Sequence, residues 1–254
     1  MKFTRLIPPL LFLMLAFVPS PALAQAAQQG LTLDLTGGGQ MTERLMQIIG
    51  LITILSLAPS ILIMMTCFTR IVVVLSLLRT AIGVQQSPPN SVIVSLALFL
   101  TFFVMAPTIA EINRTAMQPL IMEEITTEEA LMRAESPVKK FMAAHTSTAD
   151  LSLFVSMAQA APPETVEAAP LQALVPAFML SELKRAFEIG FLLFVPFLII
   201  DMAIASILMS MGMMMLPPIV ISLPFKLIFF VLVDGWRLVA GSLVASYGGG
   251  PPGP

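Results

Sequence analysis

Residues Ile189 to Pro218 read IGFLLFVPFLIIDMAIASILMSMGMMMLPP. From Ile189 to Met209 the only ionisable side chain is Asp201, and about 20 apolar residues make a helix long enough to cross the hydrocarbon core of a bilayer. The run ends in a turn of unusual make-up. Turns normally carry Asn, Asp, Ser or Gly, yet nothing polar lies between Met211 and Ile221. Met213, Met214 and Met215 follow Gly212, and Pro217 with Pro218 stops the run. A second apolar arm, Ile219 to Tyr247, carries only Lys226, Asp234 and Arg237 as charges. Two apolar arms joined by an apolar turn make a helical hairpin, and its tip must be covered by something or must itself cover something.

The rest of the chain has the same character. It is 57% hydrophobic and 11% charged, against about 25% charged in a soluble domain, so most of its surface must face lipid or other protein. The net charge of -2 and the lack of a basic block leave no electrostatic footprint for nucleic acid. One cysteine, Cys67, cannot form an internal disulfide, and one histidine, His145, cannot build a Cys/His zinc cluster. No nucleophile is marked out beside that histidine. The inventory points to a chain that is not an enzyme and holds no cofactor or metal.

The pattern along the chain gives an all-α fold of integral-membrane-type helical hairpins, with a helical water-facing domain between the second and third hydrophobic segments. Lys2 and Arg5 precede the apolar run Leu6 to Val18, and Ala22-Leu23-Ala24 follows. That is the order of a cleavable signal peptide over 1–24; the apolar core is too short for a retained membrane helix. Residues 25–44, polar and glycine-rich, read as a flexible arm. Segment 45–110 reads as a pair of hydrophobic helices. Its first run, Leu45 to Thr69, is either one kinked span ending near Arg70 or two pieces broken at Pro59. AIGVQQSPPN (Ala81 to Asn90) is a turn, and Ser91 to Ala110 is the second span.

Acidic residues and lysines return after Glu111, so 111–188 reads as the water-facing helical domain. The C-terminal hairpin covers 189–247, and 248–254 (GGGPPGP) is a disordered tail. Arg70 and Arg79 flank the first connection, which by the positive-inside rule is cytoplasmic. The central domain and the mature N-terminus then lie outside, on the periplasmic face of a bacterial inner membrane.

Ionisable groups at membrane depth need a partner or a function. Asp201 and Lys226 lie two to three helical turns from the methionine turn on opposite arms, so they are placed to approach one another, as a structural pair or as part of a proton relay. Lys226 could also snorkel to the interface. Asp234 and Arg237 are spaced to pair on one helix face. In the polar helix SELKRAFEIG (Ser181 to Gly190) the spacing allows Glu182–Arg185 and Lys184–Glu188 pairs, or pairs between subunits. Methionine is unbranched and polarizable, so it repacks against changing shapes at little cost. A ring of such side chains from several copies could close a pore and still yield to a moving chain; packing filler is the plainer use.

PAFMLSELKRAFEIGF (Pro176 to Phe191) and PFKLIFFVLVDGW (Pro224 to Trp236) resemble the signature segments of the FliP family of flagellar and type III export-gate membrane proteins. The resemblance also takes in LLRTAIGVQQSPPN, ALFLTFFVM and DMAIASILMSMGMMMLPP, and so runs from about Leu45 to Leu243. The positions that carry it are Pro176, Phe178, Glu182, Phe187, Gly190, Pro224, Lys226, Gly235 and Trp236. The resemblance implies a structural pore subunit of the gate that passes unfolded flagellar proteins across the inner membrane at the flagellar basal body. It implies a homo-oligomer, a pentamer, joined to FliQ and FliR sister subunits and other export-apparatus membrane proteins, in contact with lipid. It implies a pore gasket of Met213, Met214 and Met215, with Gly212, Pro217 and Pro218 shaping the turn. In such an assembly the apolar helices need not all span as ordinary membrane helices. The gate of a virulence-type secretion system is the neighbouring alternative, against which the signal peptide argues. A proton-coupled transporter using Asp201 and Lys226 is the alternative of another class.

Overall fold

The computed structural model describes residues 63–84, 87–159, 161–213 and 216–248, with scattered positions from 45 to 60. The signal peptide, the arm over 25–44, Pro59, Met214, Met215 and residues 249–254 of the tail lie outside the described residues. The chain divides into two compact units, Met1–Ser56 and Leu57–Pro254. In the first unit the described positions from Leu45 onward are helical and exposed or nearly so. There Thr53 and Ser56 each donate a hydroxyl to the carbonyl four residues back, at 2.8 and 2.7 Å.

The second unit is helical, with no strand among the described residues. Its order is α1 (Phe68–Ile82), α2 (Asn90–Ile112), a widened turn (Asn113–Met117), α3 (Gln118–Ile121), α4 (Thr127–His145), α5 (Thr148–Met157), a short turn of helix at Val166–Ala168, α6 (Leu171–Ser210), α7 (Pro218–Leu232) and α8 (Gly235–Ala245). The segment Asn90–Ile121 and the helix Leu171–Ser210 are each long and apolar enough to cross a membrane, and α7 with α8 forms a third such unit bent by 61°.

Local chemistry sets the boundaries. Pro119 has no N–H to give Thr115, so the helix widens ahead of it, and the Gln118 N–H reaches back to Asn113 instead. Thr126 caps α4 by accepting from the Glu129 N–H at 3.3 Å, with Glu128 and Glu129 at the positive end of the helix. Gly83 ends α1 in the left-handed conformation (φ 92°). Asp234 adopts the same region (φ 51°) where α7 bends into α8.

Two cores result, and α6 runs through both. Met142, Leu151, Val155, Leu174, Ala177 and Phe178 pack the central helices around the first turns of α6. Ile71, Val74, Leu75 and Leu78 of α1 pack with Ala97, Ala186, Phe197 and Phe230 to form the other. The division at 188/189 therefore falls in the middle of one continuous helix of 40 residues, because the charges of Ser181 to Glu188 decorate its sides without breaking its backbone. Arg70, read above as marking the end of a span, lies inside the first turn of α1 and is buried. The break precedes it, at Met65 to Cys67.

Gly190 explains how closely α1 and α6 cross. A Cβ there would lie 2.3 Å from Leu77 Cδ1 and 3.3 Å from Leu77 Cβ. Gly190→Ala is expected to destabilise the detergent-purified protein by about 1–3 kcal/mol, the usual cost of overpacking. Leu77→Ala in the same chain is expected to relieve part of it. Thermal melting decides, and an unchanged melting temperature for Gly190→Ala would remove this account of the crossing.

Candidate functional site

The tip of the α6–α7 hairpin is built from backbone hydrogen bonds. Gly212 has φ 73°; its N–H bonds to the Met209 carbonyl at 3.1 Å and the Met213 N–H to the Leu208 carbonyl at 3.0 Å. This pair of reversed bonds satisfies carbonyls that the end of α6 would otherwise leave open, and glycine takes the left-handed position without strain. Pro217 and Pro218 then start α7, where a missing N–H is harmless. With these backbone groups paired at the end of α6, no polar side chain is needed to cap it. Met209, Met211, Met213, Leu216, Ile219 and Val220 all stand exposed around it.

Behind the tip, Asp201 and Lys226 meet across the hairpin, with Lys226 Nζ 2.6 Å from Asp201 Oδ2. Ser222, one turn nearer the tip and fully buried, donates to the other carboxylate oxygen, Oδ1. Lys226 also donates to the Ala81 carbonyl at 3.3 Å. That carbonyl lies in the last turn of α1, where helix carbonyls lack backbone partners and the dipole favours a cation. One lysine thus ties α7 to α6 and to α1.

A second buried pair lies at the other end of α1. Arg70 Nη2 donates to Glu182 Oε1 of α6, and the side chains are 5% and 0% exposed, so neither charge has water to fall back on. Tyr247, two residues past α8, donates to Glu182 Oε2, and Arg70 Nη1 donates to Ser246 Oγ at 3.1 Å. Burial pushes the Tyr247 hydroxyl above its usual range, so it stays protonated as the donor. The Arg70 guanidinium stands 4.0 Å from the centroid of the Tyr247 ring, close enough for a cation–π contact. His145 and Phe141 complete the aromatic stack, at 4.9 and 6.1 Å from that ring.

This changes the expected pairing in SELKRAFEIG. Glu182 points inward to Arg70 rather than along its helix to Arg185, and Arg185 instead meets Glu188 at 3.2 Å on the exposed face. Asp234 and Arg237 approach only to 4.0 Å and are both exposed. Of the signature positions, Phe178 is core, Pro176 and Pro224 sit inside helices without ending them, and Phe187 and Trp236 stand partly exposed. Gly235 is hemmed in by the Phe230 ring, 2.1 Å from where a Cβ would lie. Among the described residues no group of three or more His, Cys, Asp or Glu side chains converges on a metal site. Sequence reasoning missed Arg70, Ser222 and Tyr247 as partners. Ser222 had a signal, since it lies one turn from Lys226 on the same helix face.

Comparison with known proteins agrees with these segments. The model of the FliP family matches residues 51–243. A flagellar biosynthetic protein FliP of Caulobacter vibrioides is 59% identical over 238 residues, covering 94% of this chain and 88% of that protein. Proteins of the same name from Bacillus subtilis and Aquifex aeolicus are 58% and 56% identical, over 78% and 83% of this chain and 89% of each relative.

The two kinds of ion pair separate energetically. Glu182→Gln leaves Arg70 buried and uncompensated, a loss of roughly 3–5 kcal/mol, whereas Tyr247→Phe removes one hydrogen bond to a charged group, about 1.5–3 kcal/mol. Arg185→Ala, on the exposed face, should stay within about 0.5 kcal/mol of wild type. Melting of the purified variants in detergent gives the ranking; a Glu182→Gln protein as stable as Arg185→Ala would refute it.

Proposed function

This chain belongs to the FliP family, and on that premise we propose that it is a structural pore subunit of the flagellar protein export gate, not an enzyme. In this reading it assembles as a homo-oligomer, a pentamer, with FliQ and FliR sister subunits and other export-apparatus membrane proteins in the bacterial inner membrane, at the flagellar basal body. It passes unfolded flagellar subunits, with the central helical domain and mature N-terminus on the periplasmic side. The observation that carries the reading is the hairpin tip. An apolar turn with Met209, Met211 and Met213 exposed is unfavourable in water and becomes favourable when copies of it converge. Methionine suits that place because it fills irregular gaps and repacks as the occupant changes. Asp201, held by Lys226 and Ser222, serves in this reading as a structural tie between the two arms.

The test replaces Met213, Met214 and Met215 with alanine in a motile host. Small-solute leakage across the inner membrane is expected to rise while the complex still assembles. A tight membrane with normal secretion of flagellar subunits would overturn the gasket.

A further inference from the structure

We propose that Asp201, Ser222 and Lys226 are positioning residues that hold the methionine tip at a fixed projection, so that the seal depends on a bracket set back from the side chains that form it. The inference rests on the reading of the tip as a pore constriction.

The tip has little else to hold it. From Asp201, α6 continues for nine residues to Ser210, about 13 Å at the usual rise. Over that length of α6 and the facing first turns of α7, only Leu208 and Ser222 are buried. Most of the other apolar side chains there are exposed, with Ile204, Ala205, Ile221 and Leu223 half-buried. The last polar tie between the two arms before the tip is therefore the carboxylate of Asp201.

The bracket's geometry suits restraint in more than one direction. Ser222 and Lys226 are four residues apart and grip the two oxygens of one carboxylate, so α7 can neither slide along α6 nor rotate without losing one contact. The Lys226 bond to the Ala81 carbonyl then refers the hairpin to α1, whose other face is packed in the core. A hairpin held only by apolar contacts could shift by small steps at little cost. One held through a buried lysine has a favoured register, because Lys226 left without its carboxylate in any other register is costly.

Three variants test this in cells making the whole export apparatus, with assembly, small-solute leakage and subunit secretion read together. Ser222→Ala removes one contact and leaves both charges paired; Asp201→Asn removes the charge; Asp201→Glu retains it. Leakage per assembled complex is expected to rise on the order of tenfold for Ser222→Ala, the factor that loss of one charge-assisted hydrogen bond implies for the released population. Asp201→Asn should leak more, and Asp201→Glu less than Asp201→Asn. The alanine variant of Met213, Met214 and Met215 runs alongside. If it leaks and assembled Ser222→Ala and Asp201→Asn complexes stay tight, the bracket does not position the tip and this proposal fails while the gasket stands. If all of them stay tight, the gasket reading fails first and takes the bracket with it.

Discussion

A guanidinium taken out of water has to find its counter-charge, and Arg70 of α1 finds it in Glu182 of α6. Much of the arrangement follows from that requirement. The pair fixes α1 against the one helix that runs through both cores, and Tyr247 and Ser246 bring the end of the chain to the same point. At the opposite end of α1, Lys226 performs the same office with Asp201. Between the two lies Gly190, where the Leu77 side chain of α1 fills the space a side chain on α6 would take. Such pairs add little net stability over a well-packed apolar contact, but they admit fewer alternatives. In a chain so rich in interchangeable aliphatic residues, this is what selects one register of α1 on α6.

Hydropathy made the broad architecture legible, because a helix that faces lipid or sister helices leaves an unmistakable apolar run. The depth of Asp201 and Lys226 was legible too, since counting turns back from Pro217 and Gly212 places them level. The partner of Glu182 was not. Arg70 is 112 residues away in sequence, and helix spacing offered a nearer partner in Arg185. Spacing within one helix describes its exposed face well, as Arg185 and Glu188 demonstrate, and says nothing about a side chain turned inward. The continuity of α6 was hidden for a related reason. Pro176 and Pro196 look like breaks in sequence, whereas surrounding turns and packing carry the helix past both.

The distribution of exposed apolar surface follows the same logic. Phe99, Phe102 and Phe103 on α2, and Phe191, Leu198 and Ile199 on α6, stand away from the cores while Arg70, Glu182, Ser222 and Lys226 turn inward. That inversion of the usual soluble pattern is what a lipid or protein environment demands. The methionine tip differs from those faces in one respect. It sits at a reversal of the chain, where the hydrogen bonds around Gly212 pair carbonyls that the end of α6 would leave open.

The unbroken length of α6 has a mechanical consequence. Its 40 residues make a rod of about 60 Å, clamped at Glu182 and at Asp201 and built into the core of the central helices at its start. Force applied at the methionine end is not absorbed locally in such a rod; it travels to the far domain. Pro196, lying between the two clamps, is the one place in that interval where a backbone hydrogen bond is missing. The rod is therefore least stiff in bending at that point, between its two clamps.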